Sequence, residues 1–126
     1  QGIAVTGSVN QKGEIQPIGG ATRKIEGFFE LCKARGFTGE QGVIIPYQNI
    51  RNLVLNYEVI EAVKEGKFHI YAVRNIDEGI EILTGVKAGK KKKDGTYPKG
   101  TINYLVYEKL KKFARTVAQF NREEKA

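Results

Sequence analysis

Serine, histidine and cysteine each occur once in this 126-residue chain, as Ser8, His69 and Cys32, and each scarcity narrows the chemistry. A lone cysteine permits no internal disulfide, which fits a reducing compartment and makes a cytoplasmic location the expectation. One His with one Cys cannot assemble a metal-ligand cluster of recognisable spacing, so no metal site is expected. Ser8 falls in an expected hairpin, which makes a Ser-His-Asp arrangement a weak reading. No apolar run approaches the roughly 20 residues that span a bilayer, so no membrane partner is expected. A charged-then-apolar leader is missing, and the chain begins at Gln1 rather than Met; we expect a processed protein or a piece of one. Internal repeats are absent too.

What is present is ordinary for a globular domain. Hydrophobic residues make up 40% and charged residues 28%, which argues against wholesale disorder, collagen or a coiled coil. The length gives room for one domain, which would bury about two-thirds of its unfolded surface. The net charge of +7 is unevenly spread. Residues 1–85 hold 9 basic and 10 acidic side chains, whereas residues 86–126 hold 12 and 4. A nucleic-acid reading therefore belongs to the C-terminal third alone.

Ile3, Val5 and Val9 alternate, Asn10-Gln11-Lys12-Gly13 reads as a turn, and Glu14-Ile15-Gln16 returns, so residues 2–16 read as a β-hairpin. Pro17-Ile18-Gly19-Gly20 breaks it. Ile25, Phe28, Phe29 and Cys32 recur at helical spacing and Gly36 suits a C-terminal cap, which predicts a helix over 21–35. The continuous apolar run Gly42-Val43-Ile44-Ile45-Pro46 reads as a buried parallel strand. Residues 48–56 and 58–65 look helical, 67–73 reads as a strand, and Asp77 and Glu78 mark the start of a helix ending at Gly85. That order argues for a βαβ unit packed against the hairpin. Residues 86–100 form a basic loop. From Thr101, the residues Leu105, Val106, Leu110, Phe113, Val117 and Phe120 mark one face of a long amphipathic helix, expected to pack on the same domain or between subunits. The class is α/β or α+β, with a domain over 1–85, the loop at 86–100 and the helix over 101–126 as its divisions.

Most candidate chemistry has a plainer meaning. His69 falls mid-strand, where a structural role is commoner. Glu58, Glu61 and Glu65 share a helix face with Lys64 and read as a solvated surface rather than an acid–base pair. Cys32 follows the apolar stripe of its helix, favouring a core thiol over a nucleophile. Gly85-Val86-Lys87-Ala88-Gly89-Lys90 has the wrong spacing for a phosphate loop, and Lys91 stands where Ser or Thr should be, so no nucleotide or other cofactor site is expected in this chain. Lys90 to Lys93 could touch phosphates, but only Tyr97 lies near for base stacking, leaving nucleic acid a weakly supported partner.

The informative segment is Thr6-Gly7, then Gly13, then Pro17-Ile18-Gly19-Gly20 leading to Lys24. Two glycines at the entrance to a helix allow a sharp turn. Lys24 then falls near the first helical turn, where the dipole disfavours a cation, and burial against Ile18 or Ile25 would disfavour it further. A neutral amine can act as general base. On position alone, an ordinary exposed lysine beside Arg23 is the commoner meaning.

This segment resembles the proteolytic domain of Lon-type ATP-dependent proteases, in a Lon-related bacterial branch. The resemblance covers most of residues 1–85, and Pro-Ile-Gly-Gly-x-x-x-Lys is its specific element. It implies a ribosomal-S5-like α/β fold and a Ser-Lys dyad for peptide hydrolysis, with Lys24 as the base and Thr6 as the hydroxyl that positions it. Ser8 does not match the family's nucleophile, so the serine is expected upstream, the chain is read as truncated on its N-terminal side, and the piece alone is expected to be inactive. Arg23 departs from the Glu often found before the family's lysine. The resemblance further implies hexameric rings, protein substrates, and an upstream ATPase region that holds ATP and Mg. The competing reading is a non-catalytic binding module on the same fold, using the basic 86–112 region to contact nucleic acid or an acidic partner.

Overall fold

The computed structural model describes residues 2–126. The chain divides into two compact units between Gly79 and Ile80. In the first, β1 (Ile3–Val5), β4 (Gly42–Pro46) and β5 (His69–Val73) form a parallel sheet in the order β1-β4-β5. A two-stranded antiparallel ribbon pairs β2 (Ser8–Val9) with β3 (Ile15–Gln16). Helix α1 (Ala21–Arg35) links β1 to β4, and α2 (Tyr57–Lys64) links β4 to β5. Parallel neighbours need such crossovers, because no short turn can bring the chain back to the starting end of the sheet.

The core explains why these segments fold as they do. Ile25, Phe29 and Cys32 are buried on one stripe of α1, and Val59 and Ala62 on α2. With Val43, Ile45 and Phe68 they form one cluster, so both helices cover the same face of the sheet. Phe29 meets Phe68 edge-on, with ring centroids 5.3 Å apart, and lies 5.4 Å from Phe37. Gly42 is required where β4 begins, because a Cβ there would collide with the backbone carbonyl of His69.

Helices α1 and α3 (Ile76–Thr84), strand β4 and the turn at Asn10 stand where the sequence puts them. Asn10 closes that turn itself, its Oδ1 accepting from the amides of Lys12 and Glu14 at 2.9 and 3.0 Å. Two expectations are corrected. Ile3–Val5 is not the first arm of the hairpin: it pairs in parallel with β4, and only residues 8–9 and 15–16 form the ribbon. Alternation marks a strand without naming its partner, and three residues carry too little pattern to choose one. The helix expected over 48–56 is a 3₁₀ helix, Tyr47–Asn52, followed by extended chain. Leu53 and Leu55 pack on the core while Val54 is 81% exposed, a period of two that holds the backbone extended. Asn56 must itself be extended to cap α2, its side chain accepting from the Val59 amide.

The second unit is built around the segment after α3. The Ala88 amide donates to Glu81 at 3.0 Å, and Ala88 is buried. The Ile102 amide donates to the Lys87 carbonyl, and the Asn103 side chain to the Gly89 carbonyl. Thr101 then caps α4 (Ile102–Lys125) by accepting from the Tyr104 amide. No residue of α4 is buried, and Leu105, Leu110, Phe113, Val117 and Phe120 are all more than half exposed. In the basic loop, Lys92 and Thr96 close a small turn, where the hydroxyl and amide of Thr96 hold the Asp94 carboxyl below the usual carboxylate range.

Removing the ring at the centre of the first unit should leave a void the surrounding sheet cannot fill. Phe29→Ala should therefore lower unfolding stability by about 3–5 kcal/mol, measured by urea denaturation.

Candidate functional site

The carboxyl ends of parallel strands are where crossover helices begin, so the chain's turns and helix N-termini gather there. Thr6 follows β1 at this end. Its amide donates to the Ile44 carbonyl at 3.0 Å, carrying the β1–β4 ladder one residue further, and its side chain is half-buried. The ribbon then docks on the chain just after β5, with the Ile15 amide donating to the Arg74 carbonyl and the Ile76 amide to the Gly13 carbonyl, both at 2.9 Å. Chain leaving β3 passes through Pro17-Ile18-Gly19-Gly20 and enters α1.

Gly20 is the N-cap of α1 and has φ 71°, ψ 21°, a left-handed conformation that glycine adopts at no steric cost. It provides no capping side chain, and no acid stands in the first turn. Lys24 enters the helix by donating its own amide to the Gly20 carbonyl at 3.1 Å. Its side chain is exposed rather than buried against Ile18 or Ile25, the commoner meaning of its position. Successive helical residues point roughly 100° apart, so the burial of Ile25 turns Lys24 onto the flank of the core stripe. Arg23 is exposed as well.

One buried polar residue beside the candidate site escaped the sequence reading. Asn49, 3% exposed in the 3₁₀ helix just after β4, grips the backbone of Ile18 with both ends of its amide. Its Oδ1 accepts from the Ile18 amide at 3.1 Å, and its Nδ2 donates to the Ile18 carbonyl at 2.7 Å. The signal for it was slight: an Asn three residues after a strand-ending Pro. A pocket of about 370 Å³ opens here, lined by residues 18–23 with Asn49 and Asn52. Neither Lys24 nor Thr6 lines it.

The other candidates resolve as structure. His69 bonds the Gly39 carbonyl through Nε2 at 2.7 Å and stacks near Tyr71. Each glutamate on α2's face meets a lysine: Glu58 pairs with Lys33, Glu61 with Lys64 at 3.1 Å, and Glu65, the residue after α2, with Lys67 at 2.6 Å. Such exposed pairs contribute little to stability and leave no free carboxylate pair for acid–base work. Ser8 is exposed on β2. No group of three metal-ligating side chains occurs among the described residues, and no helix among them is long and apolar enough to cross a membrane.

No family model matches the chain. It is 53% identical over 83 residues to a Lon protease homolog of Escherichia coli (strain K12), a match covering 66% of this chain and 14% of that protein. A Lon protease homolog of Haemophilus influenzae is 43% identical over 110 residues, covering 87% of this chain and 18% of the relative. An archaeal Lon protease of Archaeoglobus fulgidus is 38% identical over 92 residues, 73% of this chain and 13% of its own length. The chain is thus a small mixed α/β protein related to proteases, spanning less than a fifth of the length of each of these relatives. It belongs to the Lon protease family.

The one thiol gives this assignment of roles a check. Cys32 is buried, and desolvation pushes its thiol above the ordinary range, with the charge of Arg35 offsetting only part of the effect. The folded chain thus holds the thiol proton more firmly than the unfolded one. Its contribution is complete below the ordinary thiol range and is lost as pH rises from there through the raised value of the folded chain. Cys32 should react with a disulfide reagent roughly tenfold or more slowly than in the urea-unfolded chain. Comparable rates in both states would make it an accessible nucleophile rather than a core residue.

Proposed function

We propose that this chain is the C-terminal part of the peptidase domain of an ATP-dependent Lon-like protease, hydrolysing peptide bonds by a Ser-Lys dyad. The observation that carries the reading is the match to the Haemophilus relative. It covers 110 of 126 residues and therefore includes the Pro17-Ile18-Gly19-Gly20 to Lys24 element wherever it begins.

In this reading the Lys24 amine, in its neutral form, takes the proton from a serine hydroxyl as that oxygen attacks the peptide carbonyl. The lysine then returns the proton to the departing amine. The Thr6 hydroxyl accepts a hydrogen bond from the Lys24 amine and holds it toward the serine. The serine comes from sequence outside this chain, since Ser8 lies on the ribbon and does not match the family's nucleophile. The fold is of the ribosomal-S5-like type. The full-length protein is a cytoplasmic hexameric ring whose ATPase region binds ATP and Mg and feeds it protein substrates.

The experiment is made on the full-length protein. Lys24→Ala should lower peptide hydrolysis by about 10³-fold or more while leaving ATP hydrolysis close to the parent rate. Peptide hydrolysis at the parent rate would remove Lys24 from the chemistry.

A further inference from the structure

The turn that delivers Lys24 to its helix has one fixed point outside itself. Glycines 19 and 20 have no side chain with which to hold a conformation, and α1 begins without a capping side chain. The Asn49 amide supplies the constraint, occupying both the N–H and the C=O of Ile18. Two residues later the Gly20 carbonyl accepts from the Lys24 amide. Asn49 is in turn fixed by its own position, buried just beyond the end of the central strand β4. The path from sheet to lysine is therefore short: β4, Asn49, Ile18, Gly20, Lys24.

From this geometry we propose that Asn49 is a positioning residue for Lys24. It fixes the backbone by which the chain enters α1, while the buried stripe of Ile25, Phe29 and Cys32 fixes the rotation of the helix, and the two together set where the Lys24 amine leaves it. The inference rests on the reading of Lys24 as the general base. Both groups of Ile18 are needed. An acceptor alone would fix the amide but leave the carbonyl free to swing, and with it the peptide that leads into Gly19. A displacement of about 1 Å at a proton-transfer group is enough to cost on the order of 10²-fold in rate.

The test is peptide hydrolysis by the full-length protein across a pH series, comparing the parent, Asn49→Ala, Asn49→Asp and Lys24→Ala. Asn49→Asp keeps an acceptor for the Ile18 amide but, once ionised, has no donor for its carbonyl, so it guards against misfolding of the alanine variant. We expect kcat to fall by roughly 10- to 100-fold in Asn49→Ala and by less in Asn49→Asp, with KM within about twofold of the parent. The pH at which kcat is half-maximal should move in both variants, which a purely structural loss of folded protein would not produce. If Lys24→Ala is inactive while both Asn49 variants keep the parent kcat and pH profile, the positioning role is wrong and the base stands. If the Asn49 variants lose activity only in proportion to folded protein, with the profile unmoved, Asn49 is a structural staple and the proposal fails. Parent activity in Lys24→Ala overturns the base and the positioning role together.

Discussion

Strand β4 has no solvent-facing side. Val43, Ile44 and Ile45 are each at most 1% exposed, and the backbone is paired to β1 on one edge and β5 on the other. A strand buried on both faces must find every main-chain partner within the sheet, since no water can replace one. Its register is pinned at the first residue, where only glycine fits against the His69 carbonyl. From that constraint the rest of the first unit follows. Val43 and Ile45 decide which face the helices cover, and the end of β4 decides where the 3₁₀ helix with Asn49 begins.

The same strand explains why the candidate residues collect at one end. A helix that connects parallel strands must run back along the sheet, so its N-terminus lies near the carboxyl end of the strand before it. Thr6 is the first residue past β1, Asn49 the third past β4, and Lys24 enters the first turns of α1. Of these three, Asn49 is joined to the chain that leads into α1, with no motif to announce it. The Asn49–Ile18 clamp spans 31 residues of sequence with two hydrogen bonds.

Long, strongly patterned elements were legible in the sequence and short ones were not. Helix α1 was readable at both ends because its buried stripe of Ile25, Phe29 and Cys32 is flanked by glycines. Strand β4 was readable because five consecutive apolar or small residues have few other uses. The partner of β1 was not, because pairing is a property of two segments and only one was being read. The stretch after Pro46 reads as helical over 48–56 in the sequence, while tertiary packing of Leu53 and Leu55 imposes a period of two beyond the 3₁₀ helix. At the candidate site, the glycine-rich turn and Lys24 stood out through resemblance to a family. Asn49 did not, since a buried amide gripping a distant backbone leaves no local pattern.

General-base chemistry of the proposed kind asks for an amine held in a defined direction. Lys24 is exposed on the flank of α1, with no partner of its own to direct it among the described residues. What these residues fix is the backbone path into the helix: Asn49 holds both polar groups of Ile18, Gly20 turns the chain in a left-handed conformation, and the buried stripe of Ile25, Phe29 and Cys32 sets the rotation of α1. Precision at the candidate site is thus built into the main chain before it is built into any side chain.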